Sequence, residues 1–187
     1  EGSKVGKWTW YKDGEDKGWE ENYNNGVLHG KFNNLSPYAE IRGVGSFSEG
    51  IKTGEWEEYY SSANGSLERS QTGAYQFGKK VGVWSLYAKN GRRVAEGPFK
   101  DDIKVGEWTE GPDIDFGSRF FGKGTYSNNV KNGSWSYVAP RQNPTIEGFF
   151  TNGEPSGEWK VVYNKKTYKG SLEGLKKQVP KLNEFSF

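Results

Sequence analysis

The sequence contains no cysteine, no methionine and only one histidine among its 187 residues. Without cysteine the chain can form neither a disulfide nor a thiolate metal site, and it has no cysteine nucleophile. With His29 as the single imidazole, the sequence also offers no zinc site and no Ser–His catalytic pair. We therefore expect a protein that is not an enzyme and that binds no metal ion and no cofactor.

Long apolar stretches and an excess of one charge are missing as well. No segment approaches the roughly 18 apolar residues that a membrane helix needs, so we expect no transmembrane segment. The 26 basic and 24 acidic residues give a net charge of +2, a balance that does not favour nucleic acid as a partner. The chain does not begin with Met. A removed signal peptide, which would place the protein in the periplasm or at the cell surface, and a fragment of a cytoplasmic protein both fit this start.

Aliphatic residues are scarce, whereas aromatic residues are abundant. A hydrophobic content of 32% is low for a globular domain, but aromatic residues make up 16% of the chain. Because disordered chains lack aromatic residues, we expect a folded protein with a shallow core of large rings.

A short motif with two glycines and an aromatic residue recurs along the whole chain. Its pattern is Gly-x-x-x-Gly-x-Trp, as in Gly50, Gly54 and Trp56. Seven copies occur, one with Phe in place of Trp, and their second glycines lie 24 to 28 residues apart. Asp102 and Asn129 replace the first glycine in two copies. Internal repeats of this length indicate an array, which builds an extended surface rather than a catalytic pocket.

A second marker, Gly-x-Phe or Gly-x-Tyr, precedes most copies, as in Gly45 and Phe47. We predict that the Phe47 strand and the Trp56 strand form a hairpin with its turn at Gly50–Gly54, since glycine supplies positive φ at little cost. The second glycine is predicted to leave room for a neighbouring ring. We expect the repeated rings to form the core: Trp8, Phe32, Trp56, Trp84, Trp108, Trp135, Trp159, Phe47, Tyr75, Phe99, Tyr126 and Phe150.

These hairpins predict an all-β fold. About seven stacked hairpins would form an elongated, curled, single-layer antiparallel meander of about fourteen strands. Residues 1–172 are assigned to this array and residues 173–187 to a C-terminal cap, with a short helix predicted over Leu172–Gln178 and ended by Pro180. The far ends of the hairpins are predicted to carry turns at Asp13–Gly14, Asn64–Gly65 and Asn90–Gly91 and two inserted segments at Ser61–Gln71 and Gly111–Phe121.

Lysine occupies the middle of the turn motif in five copies: Lys4, Lys52, Lys80, Lys104 and Lys131. We predict that these lysines line one edge of the array, about 10 Å apart. One interpretation is a basic row that binds phosphate groups or an acidic partner. The other is that they are exposed turn residues that protect a sheet edge. Both stay open.

The repeated core Phe/Tyr-x-x-Gly-x-x-x-Gly-x-Trp resembles the MORN repeat family, and more closely its bacterial variant. The resemblance covers residues 2–172. It implies an elongated sheet of stacked hairpins that acts as a scaffold, binds proteins and sometimes acidic lipids, and has no catalytic activity of its own.

Three functions follow as hypotheses. The first is a non-catalytic scaffold for a protein partner, at the bacterial cell envelope or a membrane surface, with an acidic lipid as a further ligand. The second is a glycan-binding module, because the rings of Trp8–Tyr11 and of Tyr59–Tyr60 are similar to those of cell-wall-binding hairpin repeats, which hold choline or sugars by stacking. The third is an immunity or antitoxin protein.

Overall fold

A computed structural model of the chain describes residues 2–12, 16–36, 39–60, 67–111, 120–139 and 144–184. The turns predicted at Asp13–Gly14 and Asn64–Gly65, and most of the two inserted segments, lie outside these residues. The chain divides into two compact units. The first comprises Glu1–Arg92 with Lys100–Asp102, and the second comprises Arg93–Phe99 with Ile103–Phe187.

The first unit is an antiparallel meander in which each strand pairs with the next one along the chain. Its strands are β1 (Gly6–Lys12), β2 (Asp16–Asn24), β3 (Val27–Asn34), β4 (Gly43–Ser48), β5 (Ile51–Tyr59), β6 (Arg69–Gln76) and β7 (Lys79–Tyr87). A turn follows β7, where the N–H of Gly91 donates to the carbonyl of Ala88. A turn is thus present where one was predicted, but Lys89 and Asn90, not Asn90 and Gly91, are its two central residues.

The second unit has the same organisation and ends in two short helices. Its elements are β8 (Arg93–Lys100), β9 (Ile103–Lys104), β10 (Gly106–Glu110), β11 (Phe121–Ser127), β12 (Val130–Val138), β13 (Thr145–Thr151), β14 (Glu154–Tyr163), β15 (Lys166–Gly170), α1 (Leu172–Gln178) and a 3-10 helix (Pro180–Glu184). The predicted all-β antiparallel meander with a short C-terminal helix is confirmed.

The hairpin turns are tighter than the motif suggests. In the β4–β5 hairpin the turn residues are Glu49 and Gly50, both at positive φ (49° and 76°), and Ser48 pairs directly with Ile51. This is the two-residue geometry that suits the twist of antiparallel strands. The prediction that the whole of Gly50–Gly54 forms the turn is wrong, because Ile51–Gly54 already belong to β5.

Asp102 and Asn129 occupy the same turn position as Gly50 and adopt φ of 69° and 67°. Short polar side chains tolerate this left-handed conformation better than other residues do. Each also gains a bond that glycine cannot make. Oδ1 of Asp102 accepts from the Lys80 N–H at 2.8 Å, and Oδ1 of Asn129 accepts from the Lys104 N–H at 2.7 Å.

The second glycine of the motif makes a bulge. In the β4–β5 pair, Ser46 pairs with Thr53 but Val44 pairs with Glu57, so that Gly45 faces the three residues 54–56. Gly54 has φ of +67°, and a Cβ atom added to it would meet nothing within 4 Å. Its role is therefore backbone conformation, and the prediction that it leaves room for a ring is wrong.

The glycine of Gly-x-Phe/Tyr provides that room instead. A Cβ atom added at Gly45 would lie 2.3 Å from the Trp56 ring, and one added at Gly73 would lie 2.3 Å from the Trp84 ring. The tryptophan thus lies flat on the bare backbone of the preceding strand. The Phe47 ring then packs edge-on against Trp56, with centroids 5.1 Å apart. The same arrangement recurs in the second unit at Gly97, Gly124 and Gly148, where the distances are 2.1–2.2 Å.

The indole N–H explains why this ring is tryptophan. The bulge leaves carbonyls without ladder partners, and Nε1 of Trp56 donates to the carbonyls of Ser46 and Thr53 at 3.1 and 3.2 Å. Trp84 makes the equivalent pair of bonds, both at 3.2 Å. One side chain therefore fills the space above glycine and satisfies the polar groups that the bulge frees.

Most of the predicted core rings are buried, and five tryptophans are at most 2% exposed: Trp56, Trp84, Trp108, Trp135 and Trp159. Phe99 and Tyr126 are only partly buried. Trp8 was expected in the core, but it is 39% exposed. It lies on β1, which among the described strands pairs only with β2, so none of these strands places a glycine under its ring.

The C-terminal helix begins where its sequence predicts. Ser171 caps α1, because its side chain accepts the Gly174 N–H at 3.3 Å. Leu175 and Leu182 are fully buried in one apolar cluster with Trp159 and Val161 of β14. The end of the second unit thus has an aliphatic cover over its last tryptophan.

We predict that Gly73→Ala destabilises the protein by about 3 kcal/mol, because the new methyl group would overlap the Trp84 ring in a tightly packed layer. Gly82→Asn is the matched control. Gly82 has positive φ and open space around it, so the loss there should be about 1 kcal/mol or less. Urea unfolding of both variants measures the difference, and equal losses would contradict the assigned roles.

Candidate functional site

The motif lysines point inward over the tryptophan rings. The ammonium groups of Lys52 and Lys80 lie 4.5 and 4.6 Å from the ring centroids of Trp56 and Trp84. In the second unit Lys104 and Lys131 lie 4.5 and 4.3 Å from Trp108 and Trp135. These cation–π contacts also cover the exposed side of each ring with the lysine stem. Lys4 lies 5.2 Å from Trp8.

This placement differs from the expected row of exposed turn residues. Each lysine precedes its tryptophan by four residues, as Lys52 precedes Trp56, and positions an even number apart on a strand share a face. The spacing alone could have predicted the contact. The expectation of exposed edge lysines is wrong for Lys52 and Lys131, because only 23% and 13% of their side-chain surfaces are exposed.

In the first unit these lysines join a polar network, which we call the Glu58 cluster: Lys52, Glu58, Gln71, Tyr75 and Lys80. The Glu58 carboxylate forms an ion pair with Lys52 and accepts from the Gln71 amide and, at 2.9 Å, from the Tyr75 hydroxyl. Lys80 donates to Oε1 of Gln71 at 2.6 Å. Burial alone would raise the pKa of Glu58, but the bonds from Lys52, Gln71 and Tyr75 lower it below its ordinary value.

The second unit carries a related network, the Glu110 cluster: Lys104, Glu110, Tyr126, Lys131 and Tyr137. Here Glu110 pairs with Lys131 at 2.9 Å and accepts from the Tyr126 hydroxyl at 2.5 Å. Lys131 also donates to the Tyr137 hydroxyl at 3.1 Å. Burial lowers the pKa of Lys104, Glu110 opposes that shift, and the charge of Lys131 adds to it.

The two clusters show that two pairs of neighbouring hairpins resemble each other, which the sequence analysis missed. Glu58 and Glu110 each follow a motif tryptophan by two residues, and the next copies carry Leu86 and Tyr137 at that place. Gly122 of the second unit takes the position of Gln71, and a Cβ atom there would lie 2.8 Å from the Tyr137 ring. Tyr137 and Gly122 thus take the places of Leu86 and Gln71. As a result Lys131 contacts Glu110 and the Tyr137 hydroxyl, whereas Lys80 contacts Gln71.

The first hairpin has a variant of this network. The Tyr23 hydroxyl donates to Glu21 at 2.7 Å, and Lys4 donates to the same hydroxyl at 3.4 Å. Burial, together with the bond and charge of Glu21, raises the pKa of Tyr23 to about 12.

Apolar side chains are exposed along the turns of the first unit, next to the exposed Lys79 that follows Gly78. We call Val27, Ile51 and Phe77 the turn ridge. Val27 and Ile51 directly follow the turn glycines Gly26 and Gly50 in sequence, and they are 42% and 48% exposed. Each packs towards the next turn, because a Cβ atom on Gly50 would lie 3.2 Å from Val27 and one on Gly78 would lie 3.0 Å from Ile51. The second unit has Ile103 and Val130 at the same repeat position, 37% and 40% exposed.

Phe77 is the most exposed large apolar side chain of the described residues, at 84%. It also adopts φ of 50°, in a turn position that other hairpins fill with Asn25, Glu49, Asn128 or Asn152. A bulky residue in the left-handed region is strained, and strain of this kind often marks a functional position. The sequence shows that Phe77 stands where most other hairpins have Asn, but this can be seen only once the two residues of each turn are known.

The described residues contain no group of three His, Asp or Glu side chains that could hold a metal ion. Within the same residues, no helix has the length and apolar character to cross a membrane. A comparison with protein-family models finds no match, and a comparison with curated proteins finds none either.

We predict that the tyrosines of the Glu58 and Glu110 clusters lower the stability of the fold at alkaline pH. Burial and the bond to Glu110 raise the pKa of Tyr126 above its ordinary value of 10.0. A raised pKa in the folded state stabilises the protein fully below pH 10 and progressively less as the pH rises beyond it. Tyr126→Phe should therefore flatten the fall in free energy of unfolding above pH 10. Tyr11→Phe, which changes an exposed side chain, should leave it unchanged.

We also predict that Lys131 and Lys104, which occupy the same motif position, contribute differently to stability. Lys131→Met keeps an apolar stem over Trp135 but leaves the largely buried Glu110 without its ion pair, and it should cost about 2 kcal/mol. Among the described residues Lys104 has no carboxylate at ion-pair distance, so Lys104→Met should cost about 1 kcal/mol or less. Thermal and urea unfolding of the two variants give the comparison, and a larger loss for Lys104→Met would contradict it.

Proposed function

We propose that the protein is a non-catalytic repeat scaffold that binds a protein partner through the turn ridge. The observation that carries this proposal is Phe77, an aromatic side chain that is both strained and 84% exposed. Aromatic residues are the strongest anchors of protein interfaces. Holding one in an unfavourable conformation at the surface costs stability, and binding of a partner would explain why the cost is retained.

The ridge stands on a rigid edge, as an interaction surface should. The turns of successive hairpins are joined by backbone bonds: the Gly50 N–H donates to the Leu28 carbonyl at 2.8 Å, and the Gly78 N–H donates to the Lys52 carbonyl at 3.1 Å. Val27, Ile51 and Phe77 therefore keep a fixed spacing along this edge. A preorganised apolar surface loses little conformational entropy on binding.

The geometry gives less support to the other ligands. Acidic lipids would need free ammonium groups, yet Lys52 and Lys131 already pair with Glu58 and Glu110. Sugars and choline would need exposed ring faces along the array, yet five motif tryptophans are buried, and of the rings on which this hypothesis rested Trp8 and Tyr11 on β1 are exposed, at 39% and 61%. The resemblance to MORN repeats agrees with a protein-binding scaffold.

We predict that Phe77→Asn weakens partner binding by about thirty-fold, which corresponds to about 2 kcal/mol for loss of an aromatic anchor. The same change should leave folding intact or stabilise it by about 0.5 to 1 kcal/mol, since Asn tolerates positive φ. Most surface substitutions that abolish binding do not stabilise the protein, so this combination is diagnostic.

A photo-crosslinking residue at position 77 would first identify the partner in extracts of the native cell, and the purified partner would then be titrated calorimetrically. Phe149→Thr is the matched control, because Phe149 is an exposed aromatic residue (53%) on a strand of the second unit. Equal affinity of Phe77→Asn and the unchanged protein would refute the ridge as the interface.

A further inference from the structure

Lys104 is held over two rings as Lys52 is, but it lacks the ion pair that Lys52 forms. In the first unit the Lys52 ammonium lies 4.5 and 5.0 Å from two ring centroids and pairs with Glu58. In the second unit the Lys104 ammonium lies 4.5 and 4.9 Å from the ring centroids of Trp108 and Tyr126. None of the described residues pairs with this ammonium or accepts a hydrogen bond from it.

The reason lies in the direction that the Glu110 carboxylate takes. Glu110 follows Lys104 by six residues, as Glu58 follows Lys52, yet Glu110 pairs with Lys131 of the next hairpin at 2.9 Å. In the first unit the next lysine donates to an amide oxygen at 2.6 Å instead, so the carboxylate stays with the first lysine. Glycine replaces this amide in the second unit. One carboxylate therefore serves two lysines there and forms an ion pair with only one of them.

A cavity of about 460 Å³ lies beside Lys104, wholly within the second unit. Tyr126 and Asn129 line it and contact Lys104, since Oδ1 of Asn129 accepts the Lys104 N–H at 2.7 Å. Small-molecule sites have volumes of about 300–1,000 Å³ and combine apolar walls with a few polar groups. This cavity has both kinds of wall, because its lining includes Val94, Glu110, Phe120, Tyr126, Lys131 and Phe150.

The charges around the cavity favour an anion. Lys104 and Lys131 carry two positive charges and Glu110 carries one negative charge, which leaves a net charge of +1 (2 − 1). Burial lowers the pKa of Lys104, Glu110 opposes this shift and Lys131 adds to it. A negative charge brought close to Lys104 would stabilise its charged form. A carboxylate fits this balance better than a phosphate, which carries about two charges and needs more than one unpaired cation.

We propose that this cavity binds a small molecule with one carboxylate group and an apolar body. The carboxylate pairs with the Lys104 ammonium, as Glu58 pairs with Lys52 in the first unit, and the apolar body packs against Val94 and Phe150. The turn ridge consists of residues of the first unit, so the two sites are independent. Either can fail without the other.

The test titrates the full 15N-labelled chain with benzoate, which carries one carboxylate on a small apolar body. We expect the amide resonances of Lys104 and Asn129 to shift, with a Kd of about 1 mM or lower. Benzamide has nearly the same shape without the charge. It should bind at least about tenfold more weakly, because a hydrogen bond to an ionised group is stronger than one to a neutral group.

Two variants locate the site. Lys104→Met keeps the apolar stem over the ring and removes the charge, so it should weaken benzoate binding at least about tenfold. The double variant Gly122→Gln with Tyr137→Leu installs the residues of the first unit. Its new amide should accept from Lys131, so that the Glu110 carboxylate turns to Lys104 and benzoate binding is lost, although no charge has been removed.

Lys100→Met is the matched control, because it removes an exposed lysine of the first unit's boundary strand β8 and should leave benzoate affinity unchanged. Three results would overturn the proposal: no shift at Lys104 with benzoate at about 10 mM, equal affinity for benzoate and benzamide, or equal benzoate affinity of Lys104→Met and the unchanged chain. Tighter binding of inorganic phosphate than of benzoate would refute the carboxylate. The amide spectrum shows whether each variant is folded, and Lys104→Met decides the matter if the double variant is not.

Discussion

The contact on which each hairpin depends is that of a tryptophan ring with the bare backbone of the strand before it. In the first unit the described residues contain no helix or second sheet that could cover the rings, so burial has to be found within the sheet itself. Glycine lets the ring lie flat, the phenylalanine or tyrosine two residues later closes one edge, and the lysine stem covers the open side. A hairpin with the complete motif thereby assembles a small core from four residues, which explains how a chain of only 32% hydrophobic residues folds at all.

The polar residues follow from the same contact. A two-residue bulge is needed to bring Trp56 over Gly45, and it frees carbonyls that the indole N–H then satisfies. The lysine that covers the ring brings a charge into a half-buried site, and Glu58 or Glu110 compensates it there. The carboxylate in turn accepts a tyrosine hydroxyl. In the Glu58 and Glu110 clusters the buried polar groups thus serve as partners for one another. Removing one of them leaves its partner buried without a hydrogen bond or ion pair, which destabilises the protein.

Sequence reasoning predicted the hairpin meander, most of the core rings and the helix at Leu172–Gln178, because these depend on spacing and on local capping. It assigned the two kinds of glycine wrongly, since Gly45 and Gly54 look alike in sequence and differ only in whether a ring or an unusual φ demands glycine. It also placed the lysines at an exposed edge, although their even spacing from tryptophan indicates a shared face. The clusters at Glu58 and Glu110 could not be predicted, because they join residues from three and four strands, respectively, and bulges shift the register of these strands.

The difference between residues that follow the repeat and residues that depart from it is relevant to function. The residues of the repeat are largely occupied with one another: rings lie on glycines, lysines lie on rings in five copies, and Glu58 and Glu110 pair with two of those lysines. A residue engaged in this way contributes little free surface to a partner. The positions left available to a partner are therefore those where a repeat rule is broken. Phe77 breaks the turn rule with a strained, exposed ring. In an array whose regular parts satisfy each other, such departures are the places where selection for binding can act without weakening the fold.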